Sequence, residues 1–376
     1  MKKKILPIGF RDVLSNEANL QLNYAKDIIR NFNKWGFNLI EPPLIEFEST
    51  LLKKNNDSLS DKSFKLLDPI TKKTLLLRPD ITSQLSRIAS DRLSEFPKPL
   101  RLCYFGDVFR ADIPKLSSDR QFKQAGIELI GSKNCYSDIE IIILSIETLK
   151  KIGFNKISLD LNYPSIINKI FEDYKMNNQS QKELKNLIAK RDIKSIKSKN
   201  KSFLKILSDL TNSTGSLKKN LSKIKKIKFL KSSKKEIKKF FAIADILLKK
   251  FNKYNFTVDL LERKGFEYHT GITFSVFCLK SNKEICRGGR YLTSNSENAV
   301  GSTFFLNQFA NVSEEKDLNN KKILIPYGLV NDKNVYNLRK KGWVTIQNFS
   351  KKQDATTAKS YKCKFMLKNN KIKKVN

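Results

Sequence analysis

The sequence predicts an α+β fold built around an antiparallel sheet flanked by helices, because helical and strand-like segments are mixed and two adjacent strands stand in hairpin order. The hairpin spans residues 101–131, where RLCYFGDVFR and QFKQAGIELIG have the apolar density of strands and a polar loop separates them. Strand-like sequence returns after residue 255 as FTVDLLE, ITFSVFCL and AVGSTFFL. Helical segments lie before and between these strands, so we expect helices to cover the sheet.

The segments before the hairpin predict two helices and several short strands. Residues 15–35 have apolar side chains at helical spacing, with Ser15 as the cap and Gly36 as the stop. The apolar stripe of this helix consists of Ala18, Leu22, Ala25, Ile29 and Phe32. SFKLL and KKTLLL predict two short strands joined by a turn at Asp68. RPDITSQLSRIAS predicts a helix with Asp80 at its positive end.

Composition divides the chain into a core with an insertion and a small C-terminal unit. A helix capped by Ser137 and the strand KISLDLN follow the hairpin. From about 164 to 253, Lys-rich helix-forming segments are joined by polar linkers, which predicts an inserted helical subdomain. We expect one core domain over 1–320 that contains this insertion. A compact α/β appendage is expected over 321–376, where KKILIPYG and GWVTIQNF have strand-like patterns.

The chain is strongly basic, with a formal net charge of +36 over 376 residues. A surface for nucleic acid is one explanation. The other is codon bias in an AT-rich genome, which enriches Lys, Asn and Ile and depletes Gly (14) and Pro (10). The lysines are spread along the whole chain, and the Lys-rich insertion lacks an interleaved aromatic platform. The compositional explanation is therefore favoured, and no nucleic-acid partner is expected.

The sequence argues against a metal site, a signal peptide, a membrane span, a nucleotide-binding loop and a catalytic triad. The five cysteines are widely separated, form no CxxC pair and have only His269 as a histidine companion, so we expect no metal site and reduced thiols in the cytoplasm. The basic start meets Pro7 before an apolar run develops, and Glu140 and Glu147 interrupt the most apolar segment. Neither a signal peptide nor a membrane span is therefore expected. No nucleotide-binding loop or catalytic triad is recognised, and no cofactor or catalytic residue is predicted.

The hairpin carries polar residues in a pattern that suits a small zwitterion such as an amino acid. Because successive residues of a strand face opposite ways, Gln124, Gly126 and Glu128 share one face. Gly126 has no side chain, which predicts a hollow between an amide and a carboxylate. Arg110, at the end of the first strand, can supply a planar fork for a carboxylate or phosphate. A cross-strand Arg–Glu pair on a solvated sheet is the alternative, and the hairpin alone favours it.

A second polar stretch, ERKGFEYHTGITFSVF, is followed by ICRGGRY. Tyr268 and His269 form a polar aromatic pair at the entrance to a strand, and Gly288 and Gly289 permit close approach of the backbone. Two ordinary turns beside core aromatics are the alternative interpretation. His269 by itself is more often a hydrogen-bonded neutral side chain than an acid–base group.

Six segments follow one another in the chain: GFRDVLSNEA, WGFNLIEPPLIE, LLLRPDITSQ, RQFKQAGIELIG, GFEYHTG and GGRY. Together they resemble the catalytic core of class II histidyl-tRNA synthetases over most of residues 7–310. The resemblance implies the class II synthetase-like fold and places Pro43 where the family's first motif has a proline at its dimer interface. It also implies a histidine pocket, with Asp80 where synthetases usually have Glu and His269 where they usually have Tyr. The residues that would line this pocket are Asp80, Thr82, Arg110, Gln124, Glu128, Tyr268 and His269, with Tyr291 as an addition.

Three departures separate the chain from an aminoacylating enzyme. Lys264 is the nearest match to the arginine that helps synthetases activate the amino acid, and lysine lacks the bidentate fork. Gln308 stands where the family's third motif has an arginine that grips ATP, and a neutral amide cannot compensate the charge of a triphosphate. The tail after residue 320 is about half as long as an anticodon-binding domain should be, judged by typical domain sizes.

With these departures the chain resembles the ATP phosphoribosyltransferase regulatory subunits, a family of synthetase paralogues without aminoacylation. The resemblance implies a non-catalytic protein that assembles with the short-form catalytic phosphoribosyltransferase of histidine biosynthesis, as a hetero-octamer. It implies that the chain makes this catalytic subunit active, self-associates as a dimer and mediates feedback by histidine. The alternatives are a divergent histidyl-tRNA synthetase and an RNA-binding module that uses the Lys-rich insertion.

Overall fold

The computed structural model describes residues 6–51, 60–112, 119–198, 200–262, 269–309, 321–350 and 354–375. The chain forms two compact units, Met1–Val312 and Ser313–Asn376. The helices are α1 Ser15–Lys34, α2 Glu48–Leu51, α3 Thr82–Asp91, α4 Cys135–Lys151, α5 Ser165–Asp173, α6 Asn178–Ala189, α7 Lys201–Thr211, α8 Leu217–Lys226, α9 Lys231–Lys250, α10 Leu306–Phe309, α11 Lys333–Lys340 and α12 Ala355–Ser360.

The strands lie between these helices, singly or in consecutive groups. They are β1 Asn38–Leu39, β2 Ile45–Phe47, β3 Lys65–Leu67, β4 Thr74–Leu77, β5 Leu100–Phe109, β6 Gln121–Ile130, β7 Ile157–Asn162, β8 Gly215–Ser216, β9 Asn255–Val258, β10 His269–Cys278, β11 Lys283–Leu292, β12 Asn298–Phe305, β13 Lys322–Ile325, β14 Val344–Gln347, β15 Phe365–Lys368 and β16 Lys371–Lys374.

Among the described residues, the larger unit is organised around a nine-stranded sheet in the order β1-β5-β6-β12-β11-β10-β7-β9-β8. Neighbouring strands are antiparallel except for the pairs β1–β5 and β7–β9, which are parallel. The predicted antiparallel sheet flanked by helices is therefore confirmed. Because β6 of the hairpin pairs with β12, residues that lie far apart in the chain become neighbours at the centre of the sheet.

The two faces of this sheet pack against different helices. On one face, α1 and α4 bury the apolar side chains of β5, β6 and β12, and the buried residues of α5 to α9 extend the same core. On the other face, which we call the α3 face, a smaller cluster surrounds Ile81, Leu85 and Ala89 at and before α3. The Lys-rich segment predicted as an insertion thus contributes helices to the main core of the larger unit.

Two helix starts differ from the predictions. Leu14, not Ser15, is the N-cap of α1. Asn134, not Ser137, caps α4, because its side-chain oxygen accepts from the Tyr136 N–H at 3.0 Å. Asparagine caps helices at least as well as serine, and here it lies nearer to the helix start. Leu22, which the helical stripe predicted to be buried, is 47% exposed.

The remaining strands form two smaller sheets in the described part of the chain. Strands β2, β4 and β3 are antiparallel, and Asp68 closes the predicted turn between β3 and β4 by accepting from the Ile70 N–H at 3.1 Å. In the smaller unit the order is β14-β13-β15-β16, with β13 parallel to both β14 and β15. None of the helices that the structure describes has the length and apolarity needed to cross a bilayer.

A buried arginine joins the nine-stranded sheet to the start of α4. Arg290 on β11 is 8% exposed and donates to Asp138 Oδ1 at 2.8 Å and to Ser137 Oγ at 2.9 Å. It also donates to the carbonyl oxygens of Ser132 and Asn134, at 2.7 and 3.0 Å. Burial raises the pKa of Asp138 to about 6, and the Arg290 charge opposes that rise. The guanidinium is therefore a structural clamp that compensates an expensive buried charge.

Replacing Arg290 by methionine should lower the free energy of unfolding by about 3–5 kcal/mol, because Asp138 would stay buried without its cation. Urea unfolding measures this loss. The double variant Arg290→Met with Asp138→Asn should recover part of it, and equal losses in the single and double variants would contradict the buried-charge explanation. As a control, Lys225→Met removes an exposed ion pair with Asp245 and should cost less than about 1 kcal/mol.

Candidate functional site

The candidate site lies on the α3 face of the sheet, where β6 meets β12 and β11. Glu128 on β6 pairs with Gly301 on β12, and Gly301 pairs with Gly289 on β11. Glycine at both positions leaves the surface of the sheet bare beside the carboxyl group. Glu128 extends over this gap, and its Oε2 occupies the place that a Cβ at position 301 would take. The location of the carboxyl group therefore depends on glycine in the neighbouring strand.

The carboxyl group of Glu128 is enclosed, with 1% of the residue exposed. Tyr291 Oη donates to its Oε2 at 2.8 Å from β11. Burial raises the pKa of Glu128 to about 8, hydrogen bonds from Tyr291 and Thr82 oppose the rise, and the nearby Asp80 carboxylate adds to it. The carboxyl group is therefore mostly protonated at neutral pH. The alternative of an Arg–Glu pair on a solvated sheet is wrong for Glu128, which is neither solvated nor paired with an arginine among the described residues.

Asp80 and Thr82 reach the site from the segment that enters α3. Asp80 Oδ1 accepts from the Thr82 N–H at 2.7 Å, which fixes the turn before the helix. Asp80 lies two residues before the start of α3 at Thr82, which is at the positive end of the helix, as the sequence predicts. Thr82 lies beside both Glu128 and Tyr104 and opposes the rise in the pKa of each. The structure thus brings together Asp80, Thr82 and Glu128, three of the residues that the family resemblance assigned to one pocket.

Tyr104 is a part of the site that sequence reasoning did not find. It lies on β5 directly opposite Gly126, and its ring fills the space above that glycine. The hollow predicted at Gly126 is therefore occupied by Tyr104. Its Oη lies 2.7 Å from Thr303 Oγ1. Burial, with the nearby Asp80 and Glu128 carboxyls, raises the pKa of Tyr104 well above its ordinary value of 10, so its hydroxyl remains a hydrogen-bond donor.

Other buried polar groups lie on the same face. Gln124 is 1% exposed and Thr273 on β10 is fully buried. In the described part of the chain, neither Gln124 Oε1 nor Thr273 Oγ1 has a hydrogen-bond partner. Leaving a buried polar atom unsatisfied costs about 1–3 kcal/mol, so both atoms are suited to contact a polar ligand. His269 is 7% exposed, pairs with Tyr291 across the strands and lies over Gly289.

Arg110 lies at the outer end of the hairpin. The backbone N–H of Arg110 donates to the carbonyl oxygen of Arg120 at 2.7 Å. The side-chain Nε of Arg120 donates to the carbonyl oxygen of Arg110 at 3.0 Å. The Arg120 guanidinium lies 4.5 Å from the centre of the Phe64 ring and 5.6 Å from that of Phe10. These contacts fix the backbone at Arg110, and no described contact joins its side chain to Glu128.

Three other predicted positions have different outcomes. Tyr268 and Lys264 lie outside the described residues. Gln308 lies in α10 and is 7% exposed, and its Oε1 has no hydrogen-bond partner among the described residues. Gly288 and Gly289 lie inside β11, so the alternative of ordinary turns is wrong for ICRGGRY. No group of three His, Cys, Asp or Glu side chains in the described ranges could hold a metal ion.

The comparison with protein families matches most of the larger unit. The family model described as Histidyl-tRNA synthetase matches residues 9–309. The ATP phosphoribosyltransferase regulatory subunit of Paramagnetospirillum magneticum is 31% identical over 367 residues, which cover 97% of this chain and 96% of that protein. The similarity therefore extends over both units of the chain.

Two solved structures have the same fold. One is a Bacillus halodurans C protein described as an ATP phosphoribosyltransferase regulatory subunit/histidyl-tRNA synthetase, with a TM-score of 0.79, 22% identity and coverage of 96% of this chain and 97% of that chain. The other belongs to the ATP phosphoribosyl transferase (HisG:HisZ) complex from Thermotoga maritima, with a TM-score of 0.59, 16% identity and coverage of 76% and 97%. The predicted class II synthetase-like architecture is confirmed.

The free energy of unfolding of the unliganded protein should fall as the pH rises from about 5 to 8, because the folded state retains the Glu128 proton while an unfolded glutamate, with a pKa of about 4.3, releases it. This group contributes up to about 1.4 kcal/mol per pH unit in that window. Glu128→Gln cannot lose a proton and should lack this contribution. Urea unfolding at pH 5.5 and 7.5 measures the difference.

Glu95→Gln is the matched control for this measurement, because it makes the same chemical change at an exposed position. It should follow the wild-type dependence on pH. Parallel pH profiles for the wild type and Glu128→Gln would show that Glu128 does not retain its proton in the folded state.

Proposed function

Because this chain belongs to the family of ATP phosphoribosyltransferase regulatory subunits and carries a histidyl-tRNA synthetase domain, we propose that it is a non-catalytic subunit that activates a short-form ATP phosphoribosyltransferase in the cytoplasm. That catalytic subunit would carry out the first step of histidine biosynthesis. The single observation that carries the proposal is the similarity to a curated regulatory subunit over 97% of the chain. A similarity confined to the synthetase domain would not distinguish a regulatory subunit from an enzyme.

The finer proposal is that histidine is the effector and binds on the α3 face. The enclosed Glu128 and the neighbouring Asp80 supply acceptors or a carboxyl donor for the nitrogen atoms of the ligand. Arg110 supplies a cation for the ligand carboxylate, and the Gln124 oxygen is an acceptor in need of a donor. Histidine would regulate the complex only if its affinity differs between two assembled states.

A divergent histidyl-tRNA synthetase is the second candidate, because the family model over residues 9–309 favours it. Activation of an amino acid by ATP needs positive charge at the phosphates. Gln308, a neutral amide, stands where the third synthetase motif has arginine. We therefore expect no histidine-dependent exchange between ATP and pyrophosphate by the purified chain. Exchange above background would favour the synthetase.

Assembly forms part of the proposal, as a dimer of this chain within a hetero-octamer. An apolar surface supports the dimer. The β2-β4-β3 sheet and its turn leave Leu44, Ile45, Leu66, Leu67 and Ile70 exposed by 41 to 87%, beside the exposed Pro43. A group of exposed apolar side chains on one small sheet is typical of a protein interface.

The catalytic partnership is tested by co-purification of this chain with a short-form ATP phosphoribosyltransferase, followed by activity assays with and without histidine. We expect a stable complex, an increase in activity of at least about tenfold, equal to a lowering of the activation free energy by about 1.4 kcal/mol, and inhibition of that increase by histidine. A Glu128→Ala variant should still bind and activate but lose histidine sensitivity. Failure of the wild-type chain to bind or activate would contradict the proposed function.

The dimer is tested by combining Leu67→Glu with Ile70→Glu, which places two charges on the exposed sheet. Light scattering after size-exclusion chromatography should show the wild type as a dimer and the variant as a monomer, because buried unpaired charges weaken an interface. Leu230→Glu changes a similarly apolar exposed residue in another region and should leave the dimer intact. An unchanged mass for the double variant would place the interface elsewhere.

A further inference from the structure

The positive charge of the chain is divided unevenly between its two units. Residues 321–376 contain fifteen Lys and Arg and two Asp, which gives this segment a net charge of +13. The preceding 320 residues have a net charge of +23, so the charge per residue is about three times higher in the smaller unit. Codon bias in a genome affects both units of one gene. It therefore accounts for a basic chain but not for this difference between its parts.

The two acidic residues of the segment are both used as helix caps. Asp332 Oδ1 accepts from the Asn334 N–H at 2.7 Å at the start of α11. Asp354 Oδ1 accepts from the Thr357 N–H at 2.8 Å at the start of α12. In the part of the smaller unit that the structure describes, every Lys and Arg except the half-buried Lys322 is exposed. The surface of this unit is therefore strongly positive.

Exposed aromatic side chains are also concentrated in the smaller unit. Over the described ranges, the exposed aromatic side chains of the larger unit are Phe96 and Tyr136. The smaller unit has four, exposed by 41 to 76%, and these are Tyr327, Tyr336, Phe349 and Tyr361. On α11, the ammonium group of Lys340 lies 4.9 Å from the centre of the Tyr336 ring. Basic and aromatic side chains are thus interleaved on the surface.

The parallel strands bring several of these side chains to one edge of the sheet. Because β13 is parallel to both β14 and β15, the carboxyl ends of all three strands lie at the same edge. Tyr327 and Phe349 each follow the end of their strand, β13 or β14, by two residues. Lys368 ends β15, and a tight turn leads from it to Lys371 in β16. We call this group, Tyr327, Phe349, Lys368 and Lys371, the carboxyl edge.

The helices leave space at the carboxyl edge. α11, between β13 and β14, packs with Val335 against Ile323 on one face of the sheet. α12, between β14 and β15, packs with Ala358 against Leu324 on the other face. The two connections therefore run in opposite directions from the ends of β13 and β15. In open α/β sheets, a crevice forms at such a reversal of strand order, and ligands bind there.

We propose that the carboxyl edge binds single-stranded RNA. Lysine side chains neutralise phosphate groups, and exposed aromatic rings stack on bases of any sequence. The bases of duplex DNA stack on one another, whereas the loops and ends of RNA offer unpaired bases to aromatic side chains. Lysines on an edge strand such as β16 also protect a sheet from aggregation. That role explains Lys371 but not the exposed Tyr327 and Phe349.

The phosphate contacts are tested by fluorescence anisotropy of a labelled oligouridine RNA with the full-length chain, at several salt concentrations. Lys368→Gln combined with Lys371→Gln should reduce the slope of log affinity against log salt by about 1.4, because each phosphate contact on a single strand contributes about 0.7. Lys218→Gln combined with Lys219→Gln is the matched control. It removes the same charge from exposed positions of the larger unit and should leave the slope unchanged.

The stacking contacts are tested in the same assay with Phe349→Ala and, separately, Tyr327→Ala. Each change should weaken RNA binding at least about fivefold and leave the salt slope unchanged, because a ring stacks on a base without contacting phosphate. Phe96→Ala removes an equally exposed ring from the larger unit and should bind RNA like the wild type. Thermal unfolding of each variant checks that the fold is retained, which the exposure of these side chains leads us to expect.

Several results would overturn the proposal. These are absence of RNA binding at low salt, equal losses in the edge variants and their controls, and unchanged affinity in both aromatic variants. Equal affinity for duplex DNA, or for vesicles that contain phosphatidylserine, would also overturn it, because charge alone would then explain the binding. The assay needs neither the catalytic subunit nor histidine, so its outcome is independent of the proposed regulatory function.

Discussion

The candidate site depends on the absence of side chains in the central strands of the sheet. Gly301 leaves room for the Glu128 carboxyl group, Gly126 for the Tyr104 ring and Gly289 for His269. At each position a Cβ would overlap the side chain that now covers the glycine. A sheet with ordinary residues there would hold these polar groups away from its surface. The glycines thus allow a flat, closely packed polar layer on a face that is otherwise apolar.

This layer contains acidic side chains, although the molecule as a whole is strongly basic. The chain has a formal net charge of +36, and a positive field stabilises an ionised carboxylate. Surface lysines act through solvent and salt, which screen them over about 10 Å at ordinary ionic strength. Burial acts directly on Glu128 and raises its pKa to about 8 in spite of that field. Local desolvation therefore determines the protonation state of Glu128, and the overall charge of the molecule does not.

Strand alternation was enough to predict the sheet and the shared face of Gln124 and Glu128, because a period of two is visible in a single sequence. It could not predict Tyr104 as a site residue, since a tyrosine in an apolar strand has the same pattern as a core residue. Only the strand register places Tyr104 opposite Gly126 and shows that its ring fills the predicted hollow. The family resemblance supplied Asp80 and Thr82, which lie far from the hairpin in sequence. The binding role of the predicted set is still a prediction.

The contacts of Arg120 have a practical consequence for protein preparation. Its guanidinium stacks near Phe10 and Phe64, and its N–H donates to the Gly9 carbonyl at 2.7 Å, so the N-terminal segment is fastened to the hairpin that carries Glu128. A bulky fusion partner joined directly ahead of residue 6, or trimming through Phe10, would disturb the hairpin end at Arg110. An affinity tag joined beyond β16 would instead extend from the smaller unit, which does not contain this hairpin.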